Sequence, residues 1–322
     1  MLRNEFIEMF ACPNCKGNLD YSFEIFICRQ CNKEYKFRNS IAEMFIESQV
    51  QESSEGERSD QAVSFKEKVK EGYAAVAKSL EASGLSEFAT FLNLGYIQDH
   101  NRQFSQIALY KYTTNKNSVN LLLEVVGNCS IENDCILEVG CGRGGNIAGL
   151  NQYFNPKLLA GIDICQQNIE FCESTHLFDN SFFCIADAEN IPFTSDTFDA
   201  VLNIESSHSY PNIKKFYEEV YRVLRKGGKF LYTDVMYIDV FEKCEKYLLD
   251  MGFNIIRNQD ITSNVLLACE DTARKRINAY SNIEINGDLR QLEEFLGTPN
   301  SDIYKEMEKG IKKYKILTAI KL

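Results

Sequence analysis

Four cysteines near the start of the chain fall in two pairs, Cys12-Pro13-Asn14-Cys15 and Cys28-Arg29-Gln30-Cys31. Thiolates are soft ligands, and two such knuckles on successive hairpins supply the four donors of a tetrahedral zinc site. Gly17 and Asn32 stand where the chain must turn sharply after each pair. The intervening LDYSFEIFI is too short to build a core, so bound zinc would contribute folding free energy that burial cannot. With four protein thiolates no coordination position stays open, and the site is expected to be structural. A redox use of C-x-x-C needs a thioredoxin-like βαβ setting, which is missing here.

A second set of residues points to a nucleoside. The stretch ILEVGCGRGGN, residues 136–146, sets a buried strand directly before Gly140, Gly142 and Gly144, a loop whose backbone can approach a ligand closely. Such a loop alone is shared with dinucleotide enzymes, but the strict G-x-G-x-x-G spacing is not followed. Glu138, just before the glycines, suits a ligand's ammonium better than a pyrophosphate. About twenty residues on, LAGIDI ends in Asp163, positioned to accept hydrogen bonds from ribose hydroxyls, with Ile164 to pack on a purine face. A third strand ends in Asp187, which can receive an adenine amino group, beside Ala188. Four stations in this order are far more specific than one glycine loop.

The reacting end is expected where FDAVLNIESSHSYPN leaves a fourth strand at Asn203–Glu205. In an open parallel sheet that strand end faces the crevice beside the cofactor. Glu205, His208 and Tyr210 are therefore candidates for chemistry. His208 is one of three histidines, with His100 and His176, and the one that falls on this loop. A group titrating near neutrality suits removal of a hydroxyl proton, with Glu205 in reserve as base or substrate anchor and a hydrogen-bonded structural role as the alternative for His208.

The elements that must position these residues follow from periodicity. Residues 1–47 alternate short aromatic strands with the cysteine pairs; residues 48–64 are a polar Ser/Glu/Gln-rich run expected to be a linker. Residues 65–127 are read as helices, FKEKVKEGYAAVAKSLEASG at the start and NSVNLLLEVVG stopping at a glycine, with FATFLNLGYIQDH between them as a loop or short turns. From residue 135 apolar strands alternate with amphipathic stretches, which implies an α/β domain with a mostly parallel sheet covered on both faces. The final KYKILTAIKL fits a strand with solvated lysines. The chain has 322 residues and a formal charge of −11, which opposes binding to nucleic acid or anionic lipid. Neither a signal sequence nor an apolar run of membrane-spanning length stands out, and the eight remaining cysteines are scattered through apolar stretches, so a reducing, cytoplasmic setting without membrane insertion is expected.

On these motifs, residues of roughly 90–322 resemble the class I S-adenosylmethionine-dependent methyltransferases. That likeness implies a seven-stranded Rossmann-like sheet with its last strand antiparallel, S-adenosylmethionine as cofactor, and Glu138, Gly140, Gly142, Gly144, Asp163, Ile164, Asp187, Ala188 and Asn203 around it. More narrowly, FLNLGYIQDH, the ESSHSYPN loop with FYEEVYRVLRKGGKF, and ITSNVLLACEDTARKRINAY are similar to phthiotriol/phenolphthiocerol dimycocerosate methyltransferases and related polyketide O-methyltransferases. This implies methylation of a hydroxyl on a polyketide, peptide-hybrid or glycolipid acceptor, Tyr96 and its neighbours closing over the cofactor, and residues 262–295 forming a lid. Metal-independent chemistry is expected. Residues 1–47 resemble the small zinc ribbons that activate tRNA and release-factor methyltransferases, although Arg38-Asn39-Ser40-Ile41-Ala42 departs from the Arg-Asp-Gly-Ile-Pro common there. The ribbon would stabilise the N-terminus or dock a protein partner. An RNA methyltransferase with ribbon-based recognition and a non-catalytic binding subunit are the rival readings. The charge, and ESSHSYPN in place of an Asn/Asp-Pro-Pro-aromatic motif, disfavour the first; the intact glycine loop with its carboxylates disfavours the second.

Overall fold

The computed structural model describes residues 4–45, 56–82, 86–98, 107–280, 293–294 and 296–322, with side chains described outside 4, 56–64 and 274–280. After a short helix, α1 (Asn4–Ile7), come four antiparallel strands, β1 (Leu19–Ser22), β2 (Ile25–Cys28), β3 (Glu34–Arg38) and β4 (Ile41–Met44). Helix α2 (Gly56–Ala82) begins inside the range expected as linker, whose residues 48–55 lie outside the described residues. Helix α3 (Lys116–Val126) buries Leu121, Leu122, Val125 and Val126 along one face. Gly127, at φ 57°, ends it with its N–H on Leu123 O, as the sequence pattern requires.

The alternating segment then runs β5 (Cys135–Val139), α4 (Gly145–Tyr153), β6 (Leu158–Asp163), α5 (Gln166–Thr175), β7 (Ser181–Ala186), β8 (Phe198–Ile204), α6 (Ile213–Val223), β9 (Leu224–Tyr237), α7 (Ile238–Asp250) and β10 (Phe253–Asp260). Helices α8 (Thr262–Tyr280) and α9 (Asp302–Glu308) precede β11 (Lys312–Lys321). All five residues of β5 are buried, as a strand covered on both faces demands. Of the expected lid at 262–295, α8 is described as a helix, and residues 281–292 and 295 lie outside the described residues.

Among the described residues the strands form one sheet in the order β1-β2-β3-β4-β7-β6-β5-β8-β9-β11-β10. The last seven positions are the expected Rossmann-like sheet, with β11 antiparallel to both its neighbours. The sheet has eleven strands rather than seven because the N-terminal module joins its edge. Strand β4 pairs in parallel with β7, Ala42 opposite Cys184 and Met44 opposite Ala186. This covers an edge that would otherwise leave a row of backbone groups unpaired. Aromatic packing seals the seam: Phe6 stacks on Phe182 with centroids 4.7 Å apart, and Phe10 lies 5.2 Å from Phe193. Lys16, inside the first knuckle, donates to Glu219 Oε2 on α6 at 2.5 Å.

Two local expectations are corrected. Lys16, at φ 62°, makes the left-handed turn after the first cysteine pair, and Gly17 packs closely beside it, where a Cβ would lie 3.0 Å from Gln30 Cβ and 3.3 Å from Cys15 Sγ. The lysines of β11 are not simply solvated: Lys312, Lys313, Lys315 and Lys321 pair with Glu306, Asp260, Glu245 and Asp196. The strand lies between β9 and β10, so its charges need partners at the sheet's rim. Among the described residues no helix is long and apolar enough to cross a membrane.

Candidate active site

Strands β5, β6, β7 and β8 end on one side of the sheet, and a cavity opens there. Its floor is the loop from β5 to α4. Gly140 and Gly142 take φ of 71° and 51°, and a Cβ on Gly140 would lie 2.7 Å from Tyr210 OH, so glycine is required for both the turn and the close approach. Asp163, at the end of β6, holds this loop: Oδ2 accepts Gly142 N at 2.9 Å and Oδ1 accepts Cys165 N at 2.8 Å. Each oxygen keeps capacity for another donor. Gly140, Gly142, Asp163, Ile164, Asp187, Ala188 and Glu205 line the cavity.

Glu138 is fully buried behind the loop and reaches the cavity through a second residue. Asn146 Nδ2, on the first turn of α4, donates to Glu138 Oε1 at 2.7 Å, and Asn146 lines the cavity. Glu138 Oε2 and Asn146 Oδ1 are buried acceptors without a hydrogen-bond partner among the described residues. Burial pushes the Glu138 carboxyl up to about 8, against the pull of the Asn146 amide. Two unpartnered acceptors are costly unless a donor arrives, and a ligand ammonium is such a donor.

Asp187, at the end of β7, caps the turn Ala188–Asn190 through Oδ1, which accepts Glu189 N at 2.9 Å. Lys66 of α2 donates to Asp187 Oδ2 at 2.7 Å and to Glu189 Oε2 at 2.6 Å. Lys66, Val69 and Tyr73, spaced along one face of α2, close this side of the cavity.

Gly144 does not line the cavity; at φ 73° it caps α4, and a Cβ there would lie 2.7 Å from His176 Nε2. Asn203 lies behind the wall, fully buried, with Nδ2 donating to Val139 O at 2.8 Å and Ser206 Oγ at 2.7 Å. Tyr96 is buried outside the lining, and Thr90, Phe91, Leu92 and Asn93 take the place expected for it. His100 lies outside the described residues. Glu205 has its oxygens engaged by Leu94 N and Tyr314 OH.

His208 stands on the turn Ser207–Ser209, its side chain 39% exposed; it does not itself line the cavity, though Ser206, Ser209 and Tyr210 beside it do. Its Nδ1 lies 2.7 Å from Oδ1 of the fully buried Asp234. Asp234 also accepts Ser207 Oγ at 2.6 Å, His208 N at 3.0 Å and Val235 N at 2.8 Å. Burial pulls His208 down, yet the Asp234 carboxylate outweighs it and leaves the imidazole above its ordinary range. Burial likewise raises Asp234, and His208 with the hydrogen bonds brings it below the usual carboxylate range.

Sequence reasoning missed Lys66, Tyr73 and Asn146 as cavity residues and did not pair Asp234 with His208; it placed the neighbours of Tyr96 over the cofactor, and Phe91, Leu92 and Asn93 are such neighbours. The parallel register of β8 and β9, with Ile204 opposite Thr233, brings Asp234 beside the turn that carries His208. Asn146 had a signal, an amide one helical turn from the loop's carboxylate side.

At the N-terminus the four sulfurs of Cys12, Cys15, Cys28 and Cys31 lie within 4.8 Å of one another. A tetrahedron with metal–sulfur bonds of about 2.3 Å needs sulfurs about 3.8 Å apart, and the donor set fits it.

A methyltransferase-domain family profile matches residues 137–232. A fatty-acid O-methyltransferase of Mycolicibacterium smegmatis (strain ATCC 700084 / mc(2)155) is 36% identical over 180 residues, 56% of this chain and 65% of that protein. The phthiotriol/phenolphthiotriol dimycocerosates methyltransferase of Mycobacterium tuberculosis (strain ATCC 25618 / H37Rv) is 30% identical over 203 residues, 63% of this chain and 75% of that protein. Among solved structures, the [4+2]-cyclase SpnF superposes with a TM-score of 0.60 at 19% identity, covering 79% of this chain and 94% of that one. Geranyl diphosphate C-methyltransferase from Streptomyces coelicolor A3(2) gives 0.55 at 12% identity, covering 80% and 98%. At such identities these two speak for the fold alone. The sequence relatives go further: the chain belongs to the family of the phthiotriol/phenolphthiotriol dimycocerosates methyltransferases and is a class I S-adenosylmethionine-dependent methyltransferase.

Proposed function

We propose that this enzyme methylates a hydroxyl of a polyketide, peptide-hybrid or glycolipid acceptor, with His208 as general base and Asp234 orienting it. The His208–Asp234 pair, beside the cavity-lining Ser206, Ser209 and Tyr210, carries this reading. Asp234 accepting at Nδ1 fixes the proton there and leaves Nε2 to take the hydroxyl proton. When bound, S-adenosylmethionine supplies the electrophilic methyl group. The chain's part is to align acceptor oxygen, methyl carbon and sulfur in line and to exclude water. Glu138 and Asn146 would receive the ammonium, Asp163 the ribose hydroxyls, and Asp187 the adenine amine, with Ile164 and Ala188 against the purine. Gly140 and Gly142 would pass beneath the ligand, while Gly144 and Asn203 support that floor.

A second reading is favoured by the fatty-acid O-methyltransferase relative: a carboxylate acceptor. Such an acceptor has no proton to lose, and a cationic His208 would bind it. The two readings predict opposite pH limbs. With a hydroxylated acceptor, kcat/KM should rise with pH through the raised His208 pKa; with a fatty acid it should fall across the same range. A flat profile for both would overturn the role of His208.

We assign the four cysteines to structural zinc. The module's inner edge is taken by β7 and its first knuckle by α6, which favours stabilisation of the sheet edge over docking of a partner. We place the enzyme in a reducing, cytoplasmic setting, a reading that rests on the scatter of the eight cysteines outside this cluster.

A further inference from the structure

Residues 86–97 cross the mouth of the cavity as an irregular strap, with Thr90, Phe91, Leu92 and Asn93 in its wall. One end is held from the glycine loop. The Arg143 guanidinium stacks 3.6 Å from the centre of the Phe171 ring and donates from Nε to Ala89 O at 2.8 Å, and Gly145 N donates to Thr90 O at 3.2 Å. Beyond the crossing, Tyr96 N donates to Asn117 O at 2.9 Å and Ile97 N to Asn264 O at 3.2 Å. Between these anchors the hold comes from the cavity wall itself. Leu94 N donates to both oxygens of Glu205, at 2.8 and 3.0 Å, and Tyr314 OH, from β11, donates to Oε1. Glu205 sits at φ 50°, where a residue with a side chain stays only if its surroundings hold it.

We infer that Glu205, braced by Tyr314, is a clamp that closes the 86–97 strap over the bound cofactor and sets how long the cofactor stays. The inference rests on the cofactor reading above and makes Glu205 a positioning residue in place of a base. Its carboxylate is oriented by a backbone amide and a phenol, and the loss of water around it pushes its carboxyl up to about 7 against those hydrogen bonds. Glu205 lies three residues before His208 on the same loop, so seating of the strap and placement of the base are linked.

The test compares the wild type with Glu205→Ala, Glu205→Gln and Tyr314→Phe. Hydrogen exchange at the Leu94 amide is read beside S-adenosylhomocysteine binding and dissociation rate. Glu205→Ala should speed exchange at Leu94 and weaken S-adenosylhomocysteine roughly ten- to a hundredfold, mostly through faster dissociation. Glu205→Gln keeps a carbonyl for Leu94 N and should recover most of both losses; Tyr314→Phe should fall between. Exchange at Leu94 unchanged in Glu205→Ala would overturn the clamp. So would full loss of turnover in Glu205→Gln with unaltered binding and exchange, the signature of a base. If the wild type does not bind S-adenosylhomocysteine, the cofactor reading fails, and exchange at Leu94 still decides whether Glu205 holds the strap. Should Glu205→Ala not fold, Tyr314→Phe carries the same comparison.

Discussion

Replacing Asp234 by asparagine tests the dyad most sharply, because the change removes one charge and almost no volume. The carboxylate accepts four hydrogen bonds, from Ser207 Oγ, the backbone N–H groups of His208 and Val235, and the His208 ring. An amide accepts at one oxygen, so either Val235 N or His208 N loses its acceptor, while the ring or the Ser207 hydroxyl on that side can turn to accept from the new NH2. At about 1–3 kcal/mol for a buried group left unpaired, folding should weaken by about that much. If the new NH2 faces Nδ1, it donates there and forces the imidazole proton onto Nε2, the atom that must act as base. Turnover on a hydroxylated acceptor should fall by roughly 10²- to 10⁴-fold. Asp234 does not line the cavity, so S-adenosylhomocysteine affinity should hold. Loss of the negative charge also removes what lifts the His208 pKa, so the inflection of any residual activity should move to lower pH. Single-turnover methyl transfer across pH, with calorimetric binding as control, reads all three. Turnover within about threefold of wild type, with an unmoved profile, would refute the assignment.

The remaining predictions address the cofactor and the metal. Asn146→Ala should weaken S-adenosylhomocysteine roughly ten- to a hundredfold, yet leave 5′-methylthioadenosine, which lacks the amino-acid end, unaffected in calorimetry; equal loss of both would mean the residue only supports the loop. Elemental analysis should find one zinc per chain, lost in Cys12→Ser with Cys15→Ser. Because β4 is a strand of the main sheet, removing the metal with a chelator should lower one shared melting transition; two separate transitions would show that the ribbon folds as an independent unit.

Much of the site could be read from the sequence because its parts are local. Asp163 ends a strand and Gly140 and Asp187 each follow one directly, and the topology of an open parallel sheet brings strand ends together whatever the intervening lengths. What could not be read depends on pairing between distant segments. Asp234 meets His208 only through the register of β8 with β9, and Glu205 is engaged by two groups more than a hundred residues away in opposite directions along the chain. Candidate chemistry was therefore easier to name than its division of labour: a carboxylate at a strand end reads as a base until the amide and phenol that occupy it are known.

The same reasoning explains the strand count. Periodicity marks the cysteine module as a small β unit, and thiolate spacing points to a metal site, but neither says where a strand of four residues will pair. Strand β4 is nearly all buried, in the pattern of a strand with neighbours on both sides rather than of an exposed hairpin edge. Its partner, β7, is the strand that leads to Asp187. Deforming the ribbon should therefore reach the Asp187 end of the cavity through Met44 opposite Ala186, one residue before that carboxylate. A module added at the sheet's edge thus becomes part of the cavity's foundation without contributing an atom to its lining.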